Sequence, residues 1–204
     1  MNKQYAAIVG AGGQARVIAS ILNLLDIPVL GVFDDSHNGP EIIQGASVLG
    51  GFKDVEQHRA QIENLYLAIG DNQERKRFYD VFRQKGWQMP ALVHPRAMIE
   101  RDVQIKEASV VCVGSMLCVE SRLGKGVIIN SGCLVDHESD IGDFVHLAPK
   151  TAVAGRVSIG ENTFVGLNSC IADRLTIGKN VTIGAGSVIL KDVPDNSKIV
   201  GVFH

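Results

Sequence analysis

From Ile99 every sixth residue is aliphatic, through Val111, Leu117 and Leu123 and on to Ile177, Ile183 and Ile189, sixteen positions without an insertion. Apolar residues make up only 46% of the chain, so a run of that length is a register and not an accident of composition. Glycine follows the aliphatic at Gly124, Gly142, Gly160, Gly166, Gly178 and Gly184. The position two before the next aliphatic is Val, Ser or Thr at nearly every step, Cys133 and Leu175 being exceptions. No helix has a period of six, and a strand of period two would not demand glycine and small residues in fixed phase. A β-solenoid demands both. Each hexad supplies one short strand, three hexads close a triangular coil, the aliphatic points inward and the small residue fits near a corner. Sixteen hexads predict about five coils, a prism roughly 25 Å tall at ~4.8 Å per layer.

The residues before this register read differently. Tyr5 to Val9 is a buried-strand pattern, followed by Gly10-Ala11-Gly12-Gly13-Gln14-Ala15 and an apolar periodic stretch from Val17 to Leu25. A second strand, Val29 to Phe33, ends in Asp34-Asp35; a third, Leu65 to Ile69, ends in Gly70-Asp71-Asn72 before a charged helix from Gln73 to Lys85. Phe52 to His58 reads as a short helix. Alternating strands and helices predict a small parallel sheet of βαβ units. The linker is expected within Gly86 to Pro95, which divides the chain into domains 1–90 and 91–204.

Gly10-x-Gly12-x-x-Ala15 satisfies a dinucleotide fingerprint: glycines bring backbone amides at a helix N-terminus close to a phosphate, and an acidic residue about twenty positions on takes a ribose hydroxyl. A domain of 90 residues cannot hold the six strands that bind both halves of NAD, so one nucleotide is the expected ligand. Asp34 and Asp35 suit a ribose or base donor.

Twenty basic against 22 acidic residues leave no electrostatic footprint for nucleic acid or anionic lipid. No apolar run reaches the ~20 residues of a membrane span and no signal-peptide core follows Met1, so the expected location is the cytoplasm. Cys112, Cys118, Cys133 and Cys170 show no Cys-x-x-Cys spacing, which argues against a metal site.

Two histidines interrupt the solenoid. His137 lies two residues past an inward aliphatic and His146 five past one, so both side chains are expected to point out of the prism. Nine residues apart, they fall on different faces of the triangle. One chain cannot easily converge them. Identical prisms packed with cyclic symmetry can, and a homotrimer suits a three-sided coil.

Across nearly its whole length the chain resembles the hexapeptide-repeat acetyltransferases of sugar nucleotides and sialic acids. The residues that carry the likeness are Val9-Gly10-Ala11-Gly12-Gly13, Phe33-Asp34-Asp35, Ala68-Ile69-Gly70-Asp71-Asn72, His94-Pro95, Asp136-His137-Glu138, Gly142-Asp143-Phe144-Val145-His146-Leu147-Ala148-Pro149 and Phe164-Val165-Gly166-Leu167-Asn168-Ser169. The resemblance implies a left-handed parallel β-helix behind a Rossmann-like nucleotide-sugar-binding domain. It implies acetyl-CoA as donor, the amine of a UDP-linked 4-amino-4,6-dideoxy sugar as acceptor, and active sites between subunits.

Carried over by residue, the general base falls on His137 and its acidic partner on Glu138. Asp136 is a rival partner, since Glu138 must reach the ring at a turn. The chemistry agrees: an attacking amine must lose a proton, and a neutral imidazole is well poised to take it. By the same mapping His146, Gly155, Leu167 and Ala185 contact acetyl-CoA, with the Gly155 N–H a candidate oxyanion donor. Lys179 or Lys191 could meet CoA phosphates. The nucleotide sugar falls on Gly12, Gly13, Gln14, Asp34, Asp35, Gly70 and Asn72. Gln14 stands where the family usually has histidine, and the ending Val200-Gly201-Val202-Phe203-His204 departs from the family's. His37 and His58 read as surface residues and His94 as part of the linker. Competing readings are a GDP- or dTDP-amino-sugar N-acetyltransferase, a sialic acid O-acetyltransferase, a non-catalytic β-helix scaffold and, with least support, an NAD-dependent oxidoreductase.

Overall fold

The computed structural model describes residues 4–36 and 42–204. The expectation for His37 lies outside them. The chain divides into two compact units, residues 1–95 and 96–204.

In the first unit the β1 strand (Tyr5–Val9) pairs in parallel with β2 (Val29–Phe33) on one side and β5 (Ile62–Leu67) on the other. Helices α1 (Gly13–Leu24) and α2 (Asn72–Gln84) follow β1 and β5. Two further strands escape a reading by hydrophobic period. These are β4 (Ala46–Gly50), parallel to β2, and the two-residue β3 (Ile42–Ile43), antiparallel to β4, so the sheet is mixed and ordered β3-β4-β2-β1-β5. The third strand begins earlier than the expected 65–69, Ile62 pairing with Tyr5, and ends earlier, because the carbonyls of Ile69, Gly70 and Asp71 turn to the buried Arg75 guanidinium instead of a neighbouring strand. Asp54–His58 is a 3₁₀ turn. The expected linker is partly core, with Trp87, Met89 and Leu92 all 2% exposed.

In the second unit the hexads form three faces. The first face stacks Val110–Val111, Ile128–Ile129, His146–Leu147, Phe164–Val165, Thr182–Ile183 and Lys198–Ile199. The second runs from Met98–Ile99 through Leu134–Val135 to Val202–Phe203, and the third from Gln104–Ile105 through Asp140–Ile141 to Thr176–Ile177. Strands pair in parallel with those eighteen residues away, as Leu134 with Ala152, except in the last coil, where Thr182 pairs with Lys198 and Val188 with Val202. The inward aliphatics from Val111 to Ile189 are at most 2% exposed. Ile99 is an exception at 39%, since its strand ends the stack and has a ladder partner on one side only.

Each corner is built from three recurring devices. Every sixth residue from Asp102 to Gly186 has φ between 53° and 70°, a left-handed turn that bends the chain onto the next face. From Glu120 to Gly186 its N–H is strapped to the carbonyl nineteen residues earlier, as Glu138 N to Val119 O (3.0 Å) and Arg156 N to His137 O (2.9 Å). Buried hydroxyls then satisfy backbone groups the turns leave unpaired: Ser139 Oγ donates to Ala154 O (2.9 Å) and accepts from Val157 N (3.2 Å). The glycine after each aliphatic serves packing and not the turn. A Cβ on Gly160 would lie 2.6 Å from Gly178 C and Lys179 N of the next coil.

Candidate functional site

His137 stands at the corner between the second and third faces, immediately before the left-handed turn at Glu138 (φ 57°). That turn swings the Glu138 carboxylate beside the ring, with Nδ1 and Oε2 3.0 Å apart. A carboxylate only accepts, so in the neutral ring Nδ1 carries the hydrogen and Nε2 the lone pair. Asp136, the rival partner, instead accepts from the His137 backbone N–H (2.7 Å). Both side chains of the pair are accessible, 40% for His137 and 43% for Glu138.

One coil on, Gly155 and Arg156 stack on His137 and Glu138. A Cβ at position 155 would come within 2.6 Å of both Cε1 and Nε2 of the ring, so glycine is what makes room for the imidazole. Arg156 Nη2 lies 2.9 Å from the same Glu138 oxygen. That guanidinium, and after it the bond from His137, holds the Glu138 carboxyl below the usual carboxylate range. Burial, then the charges of Glu100 and Asp136, push the nearby Cys118 thiol up to about 11.

Thus His137, Glu138 and Gly155 converge. His146, Leu167 and Ala185 lie elsewhere. His146 projects from the first face, half-buried, edge-on to Phe164 with centroids 5.2 Å apart. Leu167, 55% exposed, and Ala185 stack one coil apart at the corner between the first and second faces. The Lys179 ammonium is 3.5 Å from Glu161, and Lys191 sits over the Phe203 ring at 4.8 Å.

In the first unit, the C-terminal ends of the parallel strands β1, β2 and β5 deliver Gly10–Gly12, Asp34, Ala68, Ile69 and Asp71 to a groove of about 290 Å³. Gly10 must be glycine there: its φ is 102° and a Cβ would meet Ala68 O at 2.8 Å. Of the expected nucleotide residues, Gly12 and Asp34 line the groove. The Asp34 carboxylate accepts from the backbone N–H of Ala11 (2.7 Å) and of Ser36 (2.8 Å), bolting two loops together. Asp35 likewise accepts from Phe52 N (2.8 Å). Asn72 is 8% exposed, and its Oδ1 accepts from Arg75 Nη2 (2.8 Å). Gly13 and Gly70 have open space where a Cβ would stand, and Gln14 Nε2 is buried with no hydrogen-bond partner among the described residues. The opposite wall escaped the sequence reading: Phe52 and Phe78, with centroids 4.3 Å apart, and Arg77, 4.4 Å above the Phe78 ring. Arg75 and Arg156 escaped it too. An arginine on a charged helix or a solvated corner gives no signal until its partners are placed.

Among the described residues no cluster of His, Cys, Asp and Glu is placed to hold a metal ion, and no helix is long and apolar enough to cross a membrane.

Comparison with known proteins matches residues 6–82 to the PglD N-terminal domain and residues 156–191 to the bacterial transferase hexapeptide (six repeats). Perosamine N-acetyltransferase from Caulobacter crescentus, solved with CoA and GDP-perosamine, superposes with a TM-score of 0.93 at 31% identity, over 97% of this chain and 93% of that one. The acetyltransferase domain of PglB from Neisseria gonorrhoeae superposes with a TM-score of 0.92 at 31% identity, over 97% of each chain. That domain has also been solved with acetyl coenzyme A, at 29% identity. Among curated proteins, protein L142 of Acanthamoeba polyphaga mimivirus is 30% identical over 120 residues, 59% of this chain but only 24% of that protein. The coil is accordingly a left-handed β-helix of hexapeptide repeats.

Proposed function

Because the chain belongs to the hexapeptide-repeat family of sugar acetyltransferases, we propose that it moves the acetyl group of acetyl-CoA onto the amine of a nucleotide-linked 4-amino-4,6-dideoxy sugar. The observation that carries this reading is the His137–Glu138 pair: an accessible imidazole held by a carboxylate and lying over a glycine, on a chain that also holds a nucleotide-sized groove. In the reaction the amine nitrogen attacks the thioester carbonyl and gives its proton to His137 Nε2. The C–N bond forms, the C–S bond breaks, and the sulfur takes that proton as CoA leaves. Glu138 holds the ring with Nδ1–H inward and stabilises the imidazolium. The Gly155 N–H is the candidate donor to the developing oxyanion. His146, Leu167 and Ala185 are assigned to acetyl-CoA, the last two offering an exposed apolar strip suited to a pantetheine arm.

The first unit supplies the acceptor site. Gly12, Gly13 and Gln14 are assigned to the diphosphate, Gly70 and Asn72 to the loop beneath it, and Asp34 and Asp35 to the ribose and base side. A UDP-linked sugar giving a UDP-N,N'-diacetylbacillosamine-type product is the first choice. A GDP-linked sugar is the second, favoured by the GDP-perosamine bound in the Caulobacter relative.

His137 and His146 leave the coil on different sides, so the reading includes a homotrimer with shared active sites. The outward row of the second face supports it: Met98, Met116, Leu134, Ala152, Cys170, Val188 and Val202 are all apolar, and Met98 and Val202 are 53% and 62% exposed. The third face presents Gln104, Arg122, Asp140, Ser158 and Thr176. Three second faces packed about an axis would bring the His137 corner of one copy to the Leu167 corner of the next.

Thiol release from acetyl-CoA, followed with UDP-, dTDP- and GDP-linked 4-amino sugars, tests donor, acceptor and reaction together. Turnover with one of them is expected. Release only with sialic acid would replace N- by O-acetylation, and no acetyl-CoA binding by calorimetry would leave a scaffold.

A further inference from the structure

Arg156 has no part in the reaction as written above, yet it is bonded to the group that orients the base. Glu138 sits on a left-handed turn at the surface, 43% exposed, where nothing in the backbone fixes its side-chain rotamer. A glutamate so placed samples several rotamers, and only some put an oxygen beside Nδ1. The coil spacing sets Arg156 directly on Glu138, eighteen residues on and in the same turn phase. Its backbone N–H is tied to His137 O (2.9 Å), and its guanidinium reaches Glu138 Oε2 (2.9 Å), the atom that faces the ring at 3.0 Å. Arginine is suited to this, since its planar fork fixes a carboxylate in direction as well as in place.

We propose that Arg156 is a positioning residue: it clamps Glu138 in the one rotamer that keeps His137 in the Nδ1–H tautomer, leaving Nε2 as the outward proton acceptor. This rests on the assignment of His137 as base. The charged groups in contact with the ring and its partner are Glu138, Asp136 through the His137 backbone, and Arg156 from the next coil; the Cys118 thiol lies on the Asp136 side. Arg174, one coil further, is turned to Asp173 (3.7 Å).

The size of the effect follows from exposure. The pair is solvent-screened, so Arg156→Gln should lower kcat only by about 2- to 5-fold, with KM for both substrates unchanged. Arg156→Lys, which keeps the charge but not the fork, should recover part of the loss. The decisive measurement is a double-mutant cycle: in a Glu138→Gln background, Arg156→Gln should cost nothing further, because its route to the ring is gone. An equal loss in both backgrounds, or a rise in KM for acetyl-CoA, would overturn the proposal and make Arg156 a direct ligand or a structural residue. A readout independent of turnover separates this from failure of the enzymatic reading. In the full-length protein, at a pH where the imidazole is neutral, the 15N shifts of His137 should report the Nδ1–H tautomer in wild type and a mixture in Arg156→Gln. An unchanged tautomer would refute the clamp even if no acetyl transfer were found.

Discussion

The two units spend their polar side chains in opposite ways. In the coil, hydrophobic order and backbone strapping leave the outward side chains unneeded for the fold, and the His137–Glu138 pair can stand accessible at a corner. In the α/β unit the polar residues at the groove are already employed: Asp34 ties Ala11 to Ser36, Asp35 holds Phe52 N, and Arg75 gathers the carbonyls of Ile69, Gly70 and Asp71. A repetitive scaffold separates stability from chemistry, and a small mixed sheet makes the same residues serve both. Substitutions at the two sites should therefore have different signatures.

The largest effect is expected at the base. His137→Ala should lower kcat by ~10²- to 10⁴-fold, the range of a lost general base, while the melting temperature stays where it was. Steady-state kinetics beside a thermal melt would check this, and loss of both together would show that the coil corner is structural after all. Next in size is the coil interior. Leu147 is fully buried, and Leu147→Ala should cost ~2–5 kcal/mol by denaturant unfolding. Gly155→Ala lies between these signatures: its Cβ would strike the ring at 2.6 Å, so it should lower kcat by about 10-fold or more by displacing the base from its place. Its unfolding midpoint should barely move.

Arg75→Met tests the opposite regime. The guanidinium is fully buried, and burial, offset in part by the charge of Asp71, brings its pKa down to about 9. Removing it leaves the carbonyls of Ile69, Gly70 and Asp71 without their guanidinium partner, at a cost of ~1–3 kcal/mol. The loop that carries Gly70 and Asn72 should loosen with it. Weaker nucleotide binding by calorimetry and a lower unfolding midpoint should then appear in the same variant, the coupling that His137→Ala lacks. Intact binding would mean that the loop holds its shape without Arg75.

How much of this could be read from the sequence follows the same division. The coil was legible because its contacts repeat at one separation: with the phase known, the inward set from Val111 to Ile189 and the outward direction of His137 follow. The corners were legible only in part. A glycine after the aliphatic looks like a turn residue, yet the turn falls two positions later, on Glu138, Phe144 or Arg156 as readily as on Gly126 or Gly132. In the α/β unit, β3 and β4 were missed because Ile42–Ile43 is only two residues long and Ala46–Gly50 offers Val48 and Leu49 as its only large apolar residues, too little hydrophobic period to stand out. The groove's aromatic wall was missed because Phe52, Arg77 and Phe78 become neighbours only when α2 and the 3₁₀ turn are in place.

That left-handed turn gives the smallest and most discriminating prediction. At Glu120, exposed with φ 61°, a non-glycine side chain sits where its Cβ crowds the following carbonyl, a strain of ~1–2 kcal/mol. The turn is held there by the strap from Glu120 N to Arg101 O (3.3 Å), which no side-chain change removes. Glu120→Gly relieves the strain but gives the unfolded chain more freedom, which takes back ~0.5–1 kcal/mol. The net runs from nothing to a gain of ~1.5 kcal/mol, a rise of at most about 3–6 °C in melting temperature for a chain of this length. Gly10→Ala in the other unit, at φ 102° with Ala68 O in the way, should lower it. If Glu120→Gly also destabilised, the side chains at the coil's turns would be part of what holds it up, and the contrast between the two units would fail at the place where it is drawn most sharply.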